Sequence, residues 1–178
     1  KQPRRITAIQ LWPLNTAEQP VEFHQTSTLT DRWWPKFGLW AILCANPNCW
    51  DTCVKNILQS AADDFALVQE TKLFKEARMK TAINEARRNG WSPVIGRAHP
   101  TAGTMGTGGG AVLARKGTGI TKACDALIPE ACDHRISIAW VAGVAKGGVH
   151  LISVYLVHSV GLNETNLWLL EQVAIAIR

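Results

Sequence analysis

At 178 residues the chain is long enough for one domain with a substantial core, since chains of this size bury roughly 70% of their unfolded surface. Hydrophobic residues at 47% and charged residues at 19% exclude a chain disordered over most of its length, and no apolar run approaches the ~18 residues of a membrane span. The formal net charge of +5 favours an anionic partner, and five cysteines without an apolar leader fit reduced thiols in an intracellular setting.

Residues 1–38 mix Pro, Thr, Gln and charge with scattered aromatics and hold no period, so they read as a low-order basic leader ahead of a domain over 39–178. Leu39 to Ala45 is a continuous apolar run and predicts a buried strand. After the Asn46-Pro47-Asn48 turn signal, Asp51 or Thr52 is the expected cap of a helix striped by Val54, Ile57, Leu58 and Ala61. Phe65 to Gln69 predicts a second buried strand. The next helix, striped by Met79, Ala82, Ile83 and Ala86, ends at Asn89-Gly90.

The second half is richer in β-forming residues. Trp91–Arg97, Gly110–Arg115, Ile120–Ala123, Ile136–Val144 and Val149–Leu156 are expected strands. Asn163 caps a last helix expected to bury Leu167, Leu170, Ala174 and Ile177. The eight tryptophans could stack on bases, but most, Trp140 and Trp168 among them, fit core positions better. Helices flanking a mainly antiparallel pair of sheets make the predicted class α+β.

The stretch Val68-Gln69-Glu70-Thr71-Lys72 closes a buried strand with a carboxylate. Such a glutamate is ordinarily just solvated, but at a sheet edge, where loops gather, it can offer oxygen to a hard cation. The string resembles the Gln-Glu-Thr signature of the endonuclease/exonuclease/phosphatase superfamily, and its surroundings follow in order. Leu39–Ala45 with Asn46 resembles the opening strand and its asparagine, and Gly109–Leu113 the glycine-led strand. His134-Arg135-Ile136 and Leu151–Leu156 with Tyr155 resemble the strands after it.

The resemblance implies a layered α/β/β/α sandwich, incomplete at the C-terminus, and hydrolysis of phosphodiester bonds by a metal-activated water. It makes Glu70 a ligand of Mg2+ or Mn2+, and Asn46 and Tyr155 catalytic groups, Asn46 orienting the scissile phosphate or the attacking water and Tyr155 hydrogen-bonding the phosphate. Lys72, Asn48 and His158 become substrate-binding residues. Nucleic acid is the implied partner, DNA before RNA, with a phosphorylated small molecule or lipid head group as alternatives. The Asn-x-Asn turn and basic leader point toward the non-LTR retrotransposon branch.

Several residues depart from the family pattern. Asn46 lacks the glycine that usually follows, Val157 and His158 stand where Pro and Asn are common, and the later Asp-x-Asn and terminal Asp-His elements have no counterpart. The alternative reading is therefore a catalytically inactive remnant that binds nucleic acid or phosphate. Two others carry less: Gly103–Gly110 as a nucleotide loop rather than a flexible turn, and Cys49, Cys53, Cys132 and His134 as a zinc site rather than structural cysteines.

Overall fold

A computed structural model describes Pro35, Gly38 to Ala102, Gly106 to Ala123, Pro129, Cys132, His134 to Val157 and Val160 to Ile177. Apart from Pro35 and Gly38, the expected leader lies outside the described residues, as do Cys124 and the substrate-binding candidate His158.

The first sheet grows from a parallel pair. β1 (Ile42–Ala45) and β2 (Phe65–Gln69) run side by side, with Ile42 opposite Phe65 and Ala45 opposite Val68. A parallel pair needs a crossover. It is supplied by α1 (Trp50–Cys53), which continues as a π-helical turn over Val54–Leu58. The cap is Cys49 rather than Asp51 or Thr52. Two anchors set that earlier start: the Trp50 N–H donates to the Thr71 carbonyl at 3.1 Å, and the Trp50 indole is buried with its Nε1 on Glu85 Oε2 at 2.8 Å.

α2 (Glu76–Arg88) follows and ends at Asn89-Gly90 as expected. β3 (Trp91–Ile95) and β6 (Gly110–Arg115) complete the sheet, β6 pairing antiparallel with both β2 and β3 in the order β1-β2-β6-β3. Between them a two-stranded ribbon, β4 (His99–Pro100) with β5 (Gly106–Thr107), occupies part of what the sequence suggests is a flexible turn. The second sheet is the antiparallel meander β7 (Ile120–Lys122), β8 (Ile136–Val141) and β9 (Val149–Val154), followed by α3 (Glu164–Ala176).

Three apolar clusters separate four layers. Trp50, Cys53, Ile57, Leu58, Ala82 and Ala86 pack on one face of the first sheet. Phe65, Val94, Val112 and Ala114 meet Ala139, Val141 and Leu151 between the sheets. Ile136, Ile138 and Cys132 meet Leu169 and Ala176 beyond the second sheet. The alternation within β2 and β6 produces this: Ala66, Val68, Ala111 and Leu113 point one way, Phe65, Val112 and Ala114 the other. Burying each large side chain contributes roughly 1.5–3 kcal/mol. The architecture is the expected layered α/β/β/α sandwich. Among the described residues, no helix is long and apolar enough to cross a membrane.

α3 docks on a different face from the one the sequence suggests. Its buried residues are Asn166, Leu169 and Ala176, whereas Leu167, Leu170, Ile177 and Trp168 are exposed. Apolar residues are spread around the helix, so periodicity does not choose a face. Asn166 does: its side chain donates to the carbonyls of Val157 and Gly161 and accepts from the Val157 N–H at 2.8 Å, pinning that side against the preceding loop. Trp140 also differs from a core residue. It is half-buried on the outer face of β8, edge-on to His150 at 5.0 Å.

Candidate functional site

The ends of the strands gather the chemistry-bearing residues. Because β1 and β2 are parallel, Asn46 and Glu70, each the residue after its strand, emerge at the same edge. β6 runs the other way, so Gly110, paired with Gln69, starts at that edge too. In the second sheet Ile136 pairs with Val154, which places the start of β8 beside the end of β9 and Tyr155. The Gly109 N–H donates to the His134 carbonyl at 2.7 Å and joins the two edges.

Glu70 and Tyr155 meet directly. The Tyr155 hydroxyl donates to Glu70 Oε1 at 2.5 Å, and Glu70 Oε2 takes no bond from any described residue. Burial, then the hydrogen bond to Glu70 and its negative charge, push the phenol up to about 12, with Arg135 opposing. The Arg135 guanidinium lies 5.3 Å from the Tyr155 ring centroid, and its Nη1 reaches the Tyr155 carbonyl at 3.4 Å.

The other candidates form a chain of contacts beside this pair. The Asn48 N–H donates to Asn46 Oδ1 at 3.0 Å, closing the Asn-Pro-Asn turn on itself. Lys72 Nζ donates to Asn48 Oδ1 at 2.7 Å. Five of the six residues singled out from the sequence thus lie on one edge of the sandwich, linked as Glu70 with Tyr155 and as Asn46, Asn48 and Lys72. The sixth, His158, is outside the described residues.

The backbone here is unusual. Among the described residues, the non-glycine positions with positive φ are Asn48 (66°), Glu70 (54°) and Lys72 (57°), and all three belong to this edge. A left-handed conformation costs a non-glycine residue roughly 1–2 kcal/mol and persists only where surroundings enforce it. The enforcement is visible: Thr71 N–H donates to the Gly109 carbonyl and Lys72 N–H to the Gly108 carbonyl, both at 3.0 Å. Gly108 and Gly109 are themselves left-handed, at 71° and 79°. A Cβ on Gly109 would stand 2.6 Å from Thr71 Oγ1, and one on Gly108 2.6 Å from the His134 carbonyl oxygen. The glycine run therefore includes a fitted strap that fixes the Glu70 turn, not a flexible turn throughout, and no phosphate-cradling helix follows it because Gly110 begins a strand.

Two solved structures are similar to part of the chain. The chain resembles an AP endonuclease from Archaeoglobus fulgidus, with TM-score 0.49 and 18% identity over 75% of this chain and 48% of that one. It also resembles the AP endonuclease LMAP from Leishmania major, with TM-score 0.48 and 18% identity over 76% of this chain and 46% of the other. The matched region spans less than half of each of those chains. No family model matches the chain, and no curated protein does.

The zinc alternative is not assembled: Cys53 sits in the cluster under α1 and Cys132 in the cluster under α3, on opposite sides of the paired sheets. Among the described residues, no three His, Cys, Asp or Glu side chains are grouped as a metal site.

Residues that motif reading passed over also build the edge. Ser153 Oγ donates to the Val68 carbonyl at 3.0 Å, and the hydroxyls of Thr71 and Ser137 are buried close to where side chains at Gly109 and Gly110 would stand. Arg135 was visible only as part of a motif, not as the partner of Tyr155. The one available signal was periodic: serines on the inward-facing positions of β8 and β9, where an apolar residue is expected.

Proposed function

We propose that the edge formed by Asn46, Asn48, Glu70, Lys72 and Tyr155 handles a phosphodiester, in the manner of a metal-dependent, nuclease-like phosphoesterase acting on DNA before RNA. The observation that carries this reading is the convergence, at the ends of three strands in two sheets, of one carboxylate, one ammonium, one phenol and paired amides on a strained backbone. Strain held by a glycine strap is a costly arrangement for a surface without a task.

Each group has a role in that reading. Lys72 supplies positive charge to a phosphate oxygen, and its present acceptor, the exposed Asn48, can exchange for one. Asn46 and Asn48 offer amide donors that orient the phosphate. The Tyr155 hydroxyl, neutral well above physiological pH, can redirect its one donated hydrogen bond from Glu70 to a phosphoryl oxygen. Glu70 supplies the anionic ligand. The donor set fits Mg2+ or Mn2+ held through a single carboxylate with Oε2 open to it, since Mg2+ commonly takes only one or two carboxylates and completes its shell with water and substrate phosphate. A divalent cation there supplies neutralisation of the charge that develops on the phosphoryl group.

The test is nicking of supercoiled DNA by the purified chain with Mg2+ or with chelator. Cation-dependent nicking that falls about 100-fold in Glu70→Ala and in Tyr155→Phe supports the reading. Equal nicking by wild type and Glu70→Ala sinks it.

A second reading, binding of nucleic acid or phosphate without turnover, is favoured by one observation: Glu70 is the only carboxylate that the described contacts bring to this edge, and it is already engaged by Tyr155. Hydrolysis needs a base for the attacking water. Salt-dependent DNA binding with no strand cleavage selects this reading, and cleavage by the pure chain removes it.

A further inference from the structure

We propose that Ser153 is a positioning residue for the Glu70 and Tyr155 pair. The Ser153 hydroxyl, 1% exposed, crosses from the second sheet to the first and donates to the Val68 carbonyl at 3.0 Å. Glu70 lies two residues beyond Val68, and Tyr155 two residues beyond Ser153. The bond therefore fixes the offset of β9 against β2 one pleat before the strands deliver their functional side chains. Apolar contacts between sheets are non-directional and tolerate sliding, whereas one buried hydrogen bond of defined length does not.

The neighbouring residues argue for a specific role. Ser137 is paired with Ser153 across β8 and β9, is equally enclosed at 4% exposure, and makes no bond to β2. Gly110 leaves the space that both hydroxyls occupy, since a Cβ there would stand 2.8 Å from Ser137 Oγ and 3.6 Å from Ser153 Oγ. Two buried serines side by side, only one of them bonded across the sandwich, separate anchoring from mere polarity.

This inference rests on the reading of Glu70 and Tyr155 as the working pair, and its test is independent of turnover. Tyr155 is the only tyrosine in the chain, so a ring-13C tyrosine label gives a single resonance whose phenolic carbon reports the hydrogen bond to Glu70 at neutral pH. Glu70→Ala marks the unbonded position. The expected result is that Ser153→Ala moves the resonance toward that position, Ser153→Thr, which keeps a hydroxyl, holds it near wild type, and Ser137→Ala leaves it unchanged. If Ser153→Ala does not fold, Ser153→Cys fills the space with a weaker donor and must shift the signal in the same direction. A folded Ser153→Ala or Ser153→Cys with the wild-type resonance overturns the proposal, as does an equal shift in Ser137→Ala. A chain that nicks no DNA overturns the proposed hydrolysis and leaves this outcome readable.

Discussion

The hydroxyl of Tyr155 donates to Glu70 Oε1 at 2.5 Å across 85 residues of chain, from one sheet to the other. Burial and this bond hold the phenol at about 12, above its ordinary value of 10.0. Because the folded value is raised, the stability that this contributes is fully present below pH 10.0 and is lost as pH rises through about 12. An ultraviolet difference titration should show the single tyrosine ionising late in the native chain and near the ordinary value in denaturant. Glu70→Ala should lower the native midpoint part of the way, since burial remains. A native midpoint equal to the denatured one would show that the contact is not populated.

Asn48 separates backbone from side chain. With φ at 66°, Asn48→Ala should destabilise by about 1 kcal/mol through the left-handed conformation, and Asn48→Gly should cost less or nothing. Both remove the acceptor of Lys72, so DNA affinity should change alike in the two variants. Urea unfolding and fluorescence anisotropy measure the two quantities, and affinities that follow stability instead of the shared deletion would count against a substrate role for the pair.

Gly109→Ala combines a clash with backbone strain. The new Cβ would meet Thr71 Oγ1 at 2.6 Å from a residue at φ 79°. The expected cost is about 2–3 kcal/mol by chemical denaturation. Hydrogen exchange should accelerate at the amides of Thr71 and Lys72, which the strap holds; exchange unchanged there would show that the strap does not fix the Glu70 turn.

Thiol reactivity should follow the cap geometry. The hydrogen bond with Thr52 lowers Cys49, while burial raises Cys44 and drives Cys53 up to about 12, with Cys49 adding to the latter. Alkylation near neutral pH, read by peptide mass, should label Cys49 well ahead of Cys44 and Cys53. Faster labelling of Cys53 would mean that α1 opens from the sheet.

Asn166 decides how α3 docks. Asn166→Leu satisfies the apolar pattern of the helix but leaves the Val157 N–H without its acceptor and frees the carbonyls of Val157 and Gly161. A loss of about 1–3 kcal/mol in urea is expected despite the added apolar surface. A stabilised variant would show that the helix can turn its other face inward.

The sequence by itself determined the elements that a period or a breaker specifies: β2 over Phe65–Gln69 and β6 over Gly110–Arg115, the end of α2 at Asn89-Gly90, and the Asn163 cap, whose side chain accepts from the Asn166 N–H at 3.1 Å. It also marked Asn46, Asn48, Glu70, Lys72 and Tyr155, through the resemblance of short strings at strand ends to a family pattern. Tertiary structure alone decided the rest. The start of α1 at Cys49 depends on the distant Thr71 carbonyl, the face of α3 on Asn166, and the fit of Gly108 and Gly109 on His134 and Thr71. The contact of Glu70 with Tyr155 is of the same kind. Periodicity records which side of an element is apolar, but the offset between two sheets is set by side-chain and backbone contacts between residues far apart in the chain, and no local pattern encodes it.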